Sequence, residues 1–436
     1  MRERKLLVKE AVILAAGYGK GLEPITHTRH KVLVPLLGRP LIRHHLDSLA
    51  SLGVENFVVV VSYLKTQVEE VVRSWASGRS VDVRVVEQGV PLGTGHALNA
   101  AMNFLSSDRF ILVYGDIYTT LEGFRAVAEC GGEACIGAYE VEHPERFGVL
   151  KVEGGFLKGI VEKPENPPSN LINAGIYLLP YSIGDYVTNL EPSPRGEYEL
   201  TDALTKYSAL MPVAVARLPY WKDVGRPWSL LELNRYLLDC LGSTRIEGRV
   251  EDGVVVKGPV VIEEGAEILS GTYIKGPVYV GREASVGPNA YLRPYAVILE
   301  GAKVGFNVEV KESIVMEHAH AAHQAYIGDS IVGEYSNLGA GTILANLRFD
   351  GKPVPFTVKG RRESSGRKKL GAFLGGYVKT GVNVSTYPGV KIGAYSWINP
   401  GLVVKKDLPP CSHLKGDWEV GTVKEECRVD LSVWRP

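Results

Sequence analysis

Ten aliphatic residues stand six apart without a break: Val256, Ile262, Ile268, Ile274, Val280, Val286, Leu292, Ile298, Val304 and Val310. Neither the helix period of 3.6 nor the strand alternation of two produces that spacing. A hexapeptide period marks a parallel β-helix, in which each coil buries its aliphatic corner on the next. Glycine follows several of these residues, as at Val280-Gly281, Val286-Gly287 and Val304-Gly305, where the chain must turn tightly. The period slips near residue 327 and resumes loosely from Leu374 through Ile392, Ile398 and Val404. Between lies ANLRFDGKPVPFTVKGRRESSGRKK (345–369), with eight basic and two acidic residues. Such an interruption of a regular repeat is an excursion with a use of its own.

The first 240 residues follow a different pattern. Short apolar runs at 10–17, 56–64 and 109–116 alternate with amphipathic stretches at 40–53 and 64–77. Strands alternating with helices imply a mostly parallel sheet covered on both faces. A helical stretch, WSLLELNRYLLDCL, leads to the boundary at GSTRIEG, giving domains 1–241 and 242–436. A chain of 436 residues exceeds one ordinary core, which agrees with two domains. Lys+Arg and Asp+Glu both number 49, without the basic excess of a nucleic-acid binder. Five cysteines without metal-ligand spacing imply reduced thiols. The apolar run near the N-terminus is too short for a leader or a membrane span. The expectation is a cytoplasmic protein with neither nucleic-acid nor membrane partners.

Ligands of such sheets bind beyond the carboxyl ends of the strands, where Gly17, Gly19 and Asp116 fall. Glycines there let backbone N–H groups approach phosphate. A second group stands in the repeat region, where MEHAHAAHQAYIGDS (316–330) carries His318, His320 and His323. By themselves these three could hold a metal, move protons or decorate a surface.

The stretch LAAGYGKGLEPITHTRHKVLVPLLGRP (14–40), with Pro24, Thr26, Lys31, Pro35 and Pro40, resembles the opening motif of the sugar-1-phosphate nucleotidyltransferases. The resemblance runs over roughly residues 10–230 and implies a Rossmann-like fold. It places Leu14, Ala16 and Gly17 on the nucleotide and gives Lys31 a catalytic role. EQGVPLGTGHAL (87–98) supplies Gln88 as a uracil contact, with Gly93 and Thr94 closing on the nucleotide. Gly148, Glu162, Lys163 and Asn173 would hold the sugar phosphate, while Asp116 and Asp223 would bind Mg²⁺. Two carboxylates from distant segments suit an ion that keeps its waters and bridges substrate phosphates. The chain departs from the motif at Lys20, Gly21 and His30, where the family has Thr or Ser, Arg and Pro. Lys20 is expected to supply the missing charge one position early, as a point charge without the arginine fork.

The repeat region resembles the acetyltransferase half of the bifunctional glucosamine-1-phosphate acetyltransferases/N-acetylglucosamine-1-phosphate uridylyltransferases. YLRPYAVI, FNVEVKES, AAHQAYIGDS and SNLGAGTILANLRFDG carry the likeness, in order. It implies a left-handed β-helix, a homotrimer, and acetyl-CoA as co-substrate. Arg293 and Lys311 would meet the sugar phosphate, Tyr326 and Asn337 the amino-sugar with Asn346 beside it, and Ala340 the thioester. His323 would be the general base, since an amine must lose its proton to attack acetyl-CoA. Lys359, Arg361, Arg362, Arg367, Lys368 and Lys369 would suit the phosphates of coenzyme A. The other partners implied are UTP or dTTP and sugar-1-phosphates. Two alternatives stand beside this reading: a glucose- or mannose-1-phosphate nucleotidyltransferase with a structural β-helix, and a non-catalytic assembly subunit like the translation-initiation-factor exchange subunits.

Overall fold

The computed structural model describes residues 8–416, 419–422 and 426–434. The opening MRERKLL, on which the expectation of no leader partly rests, lies outside the described residues. Among the described residues no helix is long and apolar enough to cross a membrane. The chain divides into two compact units: residues 1–18, 30–34 and 40–224, and residues 19–29, 35–39 and 225–436.

The first unit is built on a nine-stranded sheet. Its buried strand Glu10–Ala15 pairs in parallel with Asn56–Val61 on one side and Arg109–Tyr114 on the other. Helices Leu41–Ser51 and Lys65–Ala76 form the crossovers that parallel pairing requires. The far half of the sheet departs from the expected parallel arrangement. Leu171–Pro180 runs antiparallel to both Arg109–Tyr114 and Ala134–Glu140. Gly148–Glu153 and Phe156–Glu162 form a hairpin whose turn, Gly154-Gly155, has φ of 60° and 86°. Two left-handed residues match the twist of a two-residue hairpin, so those strands reverse without a helix.

In the second unit, three long sheets grow by the same rule: as far as the excursion each strand pairs in parallel with the third strand after it. Beyond the excursion the same three sheets resume in parallel, one of them closing on an antiparallel pair, Ser412–Leu414 with Val420–Thr422. This pattern is consistent with a parallel β-helix. Nine of the ten six-spaced aliphatics, Ile262 to Val310, are wholly buried. Coils are 18 residues long where Tyr279 pairs with Val297 and 17 where Val297 pairs with Ile314. The period therefore slips before residue 327, at the turn preceding Ile314. The excursion is folded rather than loose. Its Pro355–Val358 and Arg361–Ser364 pair as a hairpin, and Phe356 is buried edge-on against Trp228 and Phe373.

The expectation of five reduced thiols needs correction. Cys130 is paired with Cys135 and Cys411 with Cys427, leaving Cys240 free. Spacing alone cannot reveal such pairs, because they depend on how the fold apposes the residues.

Candidate active sites

In the first unit the chain leaves its central strand at Ala15 and turns through Gly17. Lys31 returns across this glycine to within 2.7 Å of the Asp116 carboxylate. A Cβ at Gly17 would sit 3.0 Å from the Lys31 ammonium, so glycine leaves the lysine its path. Burial alone would raise the Asp116 pKa, but the charge and hydrogen bond of Lys31 outweigh it and hold the carboxyl below its usual range. A two-stranded ribbon explains how Asp223 reaches the same place: Trp221–Asp223 pairs antiparallel with Ile117–Thr119, and Val224 N donates to Asp116 O at 2.9 Å. The ribbon thus brings the backbones of the two expected Mg²⁺ ligands within one pairing step of each other. Among the described residues no three His, Cys, Asp or Glu side chains group as a metal site. Two carboxylates alone suit an ion that draws its other ligands from water and phosphate.

Gln88 is buried, its amide donating to Gly93 O at 3.1 Å and lying 2.9 Å from His96 Nδ1. Gly93 has φ 119°, and a Cβ there would meet Tyr198 O at 2.6 Å. Thr94 Oγ1 accepts from Leu200 N. The predicted sugar residues also come together. Gly148 pairs with Glu162 across the hairpin, and a Cβ at Gly148 would lie 2.8 Å from the Glu162 carboxylate. Lys163 lies 3.9 Å from the same carboxylate. Asn173 donates to Tyr177 Oη at 2.6 Å, and Tyr177 in turn donates to Tyr114. Sequence reasoning missed Tyr114, Tyr177 and Arg195, whose guanidinium lies 3.3 Å from Glu162. Tyr114, two residues before Asp116, carried a usable signal; burial pushes its pKa up to about 12, keeping it a neutral donor.

The departures from the motif have local causes. His30 is buried and accepts from Val32 N at 3.2 Å, capping the turn that carries Lys31. Burial, with the Lys31 charge, pushes its pKa down to about 3. Lys20 is exposed in a single 3-10 turn, Lys20–Leu22. Restoring an arginine at Gly21 is sterically barred: a Cβ there would run into the Gly225 carbonyl.

The three histidines of the second unit part company. His318 stacks on Tyr335 with ring centres 4.9 Å apart, and the stack continues through Tyr377 and Tyr395. All four occupy left-handed corners, with φ from 54° to 62°, so His318 is one rung of a corner ladder. His320 sits in register between Lys303 and Asn337, and burial followed by the Lys303 charge lowers its pKa. His323 ends its strand exposed, three residues before Tyr326.

Around Tyr326 lies a polar cluster. Asn346 donates to Tyr326 Oη at 3.1 Å and to Asp329 at 2.6 Å, and Lys311 pairs with Asp329 at 2.9 Å. Asp329 is 1% exposed, and such a carboxylate is stable in the fold only when paired. Arg293 pairs with Glu309 at 2.8 Å. Asn337 is exposed and Ala340 partly so. Lys359, Arg361, Arg362, Lys368 and Lys369 are exposed on the excursion, whereas Arg367 turns inward to Glu312 at 2.5 Å and Asp329 at 3.5 Å. Arg367 therefore anchors the excursion, and its charge is committed to carboxylates.

The first unit thus brings a glycine turn, Lys31 and Asp116 together at strand ends, with Asp223 on the adjoining ribbon, and the second unit carries a separate polar cluster around Tyr326. The family model for nucleotidyl transferases matches residues 10–239, and one for the GMPPB C-terminal domain matches residues 274–365. A bifunctional sugar-1-phosphate nucleotidylyltransferase/acetyltransferase of Sulfurisphaera tokodaii is 46% identical over 92% of this chain and 98% of its own. The bifunctional protein GlmU of Methanocaldococcus jannaschii is 42% identical over 92% of this chain and 95% of its own. The chain belongs to this family of bifunctional nucleotidyltransferase/acetyltransferases. It is an enzyme.

Proposed function

We propose that the protein N-acetylates glucosamine-1-phosphate with acetyl-CoA and then transfers a uridylyl group from UTP to the N-acetylglucosamine-1-phosphate formed. The observation that carries the first half is the cluster of Lys311, Asp329, Asn346 and Tyr326, with the exposed His323 three residues before Tyr326 in the chain. A coil serving only as a prop has no need of a buried, fully paired polar group at the mouth of its excursion. His323 accepts the amine proton as nitrogen attacks the thioester carbonyl; the C–S bond breaks and coenzyme A leaves as the thiolate. The exposed cations Lys359, Arg361 and Arg362 receive its phosphates.

In the first unit a sugar phosphate oxygen attacks the α-phosphorus, and pyrophosphate leaves. Asp116 and Asp223 would hold Mg²⁺, which when bound neutralises phosphate charge. Gly17 leaves room for Lys31, the cation nearest Asp116, and Gln88 with Gly93 and Thr94 frames the base. Glu162, Lys163 and Asn173 orient the sugar. Such chemistry needs positioning and charge neutralisation more than a covalent catalyst.

The coil is a left-handed parallel β-helix that assembles as a trimer. Supporting this, Val255, Tyr291, Ile343 and Val403 are 36–42% exposed along one sheet, in a register row they share with Glu309 and Ser385, and another copy would cover this apolar surface. The GMPPB C-terminal match favours a second reading, a glucose- or mannose-1-phosphate nucleotidyltransferase with a structural coil. His323→Ala separates them. Under the proposal it lowers acetylation of glucosamine-1-phosphate by ~10²–10⁴-fold and spares nucleotidyl transfer, while His318→Ala leaves acetylation within a few-fold. Full acetylation by His323→Ala would end the assignment.

A further inference from the structure

Gln88, the side chain expected to meet the base, is itself held on two sides. Its amide faces the Gly93 carbonyl at 3.1 Å and His96 Nδ1 at 2.9 Å. A carbonyl oxygen only accepts, so the amide atom turned toward Gly93 is the nitrogen. That nitrogen carries two hydrogens, and the second is left for His96. Nδ1 is therefore the bare ring nitrogen, with the imidazole proton on Nε2. His96 stands in the first turn of the helix Thr94–Met102, its ring 6.2 Å from that of Tyr198. Tyr198 N donates to Leu92 O and Tyr198 O accepts from Gly95 N, both at 2.8 Å, so the neighbour of the imidazole is fixed by backbone bonds.

We propose, resting on the nucleotidyl-transfer reading above, that His96 is a positioning residue for base selection. By taking the second amide hydrogen of Gln88, it leaves the Gln88 Oε1 acceptor as all that this side chain offers a nucleotide. The pairing edge of uracil has one donor, N3–H, between two carbonyls, and Oε1 would accept from it. Cytosine carries a bare N3 at that position and its amino group one position away, so two acceptors would oppose each other. Gln88 is buried, and a buried acceptor left without a donor costs more than a paired one contributes. Selection then comes from penalising the wrong base as much as from binding the right one. Without an acceptor at residue 96, the amide would keep a spare N–H to turn toward the ligand and would accommodate either base.

The rival is that His96 only packs its helix against Tyr198, a role that would touch every nucleotide alike. With Mg²⁺ and N-acetylglucosamine-1-phosphate, pyrophosphate release from UTP, CTP and 3-methyl-UTP is measured for the parent, His96→Leu and His96→Asn. The parent should use UTP ~10–100-fold better than either analogue in kcat/KM. His96→Leu should lower the UTP:CTP preference by ~10-fold, through KM and not kcat, because the base lies away from the reacting phosphorus. His96→Asn, whose carbonyl accepts near the Nδ1 position, should keep the parent's preference. A parent-like preference in His96→Leu would overturn the proposal, as would equal use of UTP and 3-methyl-UTP by the parent. Should His96→Leu fail to fold, nitrogen-15 NMR of the histidine-labelled parent decides, with His96 assigned by its loss in His96→Asn. A proton on Nε2 is expected, and one on Nδ1 would refute the arrangement. A parent that releases no pyrophosphate from any nucleotide would instead defeat the nucleotidyl-transfer reading, and the NMR result would still decide the His96 contact.

Discussion

Acid should weaken the second unit through His27, a residue of the motif loop. His27 is 6% exposed, its Nδ1 accepts from Ala394 N at 3.3 Å, and its ring packs edge-on against Trp434. Burial, reinforced by the Lys391 charge, pushes its pKa from 6.5 down to about 3. Below pH 6.5 the unfolded chain takes up a proton that the folded chain refuses. Its contribution is therefore full above pH 6.5 and is lost progressively as the pH falls toward about 3. One proton costs ~1.4 kcal/mol per pH unit, so acidifying to pH 4.5 removes ~2.7 kcal/mol through this group. His27→Asn keeps an acceptor near the Nδ1 position and does not titrate. Calorimetric midpoints between pH 7 and 4.5 should fall more steeply for the parent than for His27→Asn. The buried His30 and His45 are unchanged in both proteins and cancel in the comparison. Parallel curves for parent and variant would refute the reasoning.

Two further outcomes follow from the first-unit geometry and the motif loop. Asp223→Asn should lower nucleotidyl transfer by orders of magnitude while leaving acetylation and the thermal midpoint near the parent's; pyrophosphate release at the parent rate would remove Asp223 from the site. Gly21→Arg, which restores the family residue, should reduce stability by ~1–3 kcal/mol through overpacking against the Gly225 carbonyl, and calorimetry showing a parent-like midpoint would contradict that.

The six-residue period could be read from sequence because burial enforces it: Ile262 to Val310 fill one continuous core, and no other periodicity suits that core. Asp116 and Asp223, 107 positions apart, were readable only through the motif, since the ribbon that joins them consists of two three-residue strands. The 17-residue coils shift the period by one residue, which a strict count of six cannot follow. The mixed half of the first sheet was signalled by Gly154-Gly155, a hairpin turn between alternating residues. His318 was opaque on its own. Its partners Tyr335, Tyr377 and Tyr395 share its corner only after coil length and excursion are known. The packing of residues 19–29 within the second unit was likewise beyond local reasoning. Arg29 reaches Glu317 at 2.6 Å and Lys391 reaches Glu23 at 3.0 Å, contacts between residues about 290 and 370 positions apart.

The central claim is that one chain performs both transfers in sequence. The direct measurement is to incubate pure protein with glucosamine-1-phosphate, acetyl-CoA, UTP and Mg²⁺ and to follow coenzyme A thiol, pyrophosphate and UDP-sugar together. The account predicts thiol release first, then pyrophosphate and UDP-N-acetylglucosamine in equal amounts, with no UDP-N-acetylglucosamine when acetyl-CoA is omitted. Pyrophosphate release from glucose- or mannose-1-phosphate, with no thiol ever released from acetyl-CoA, would contradict it.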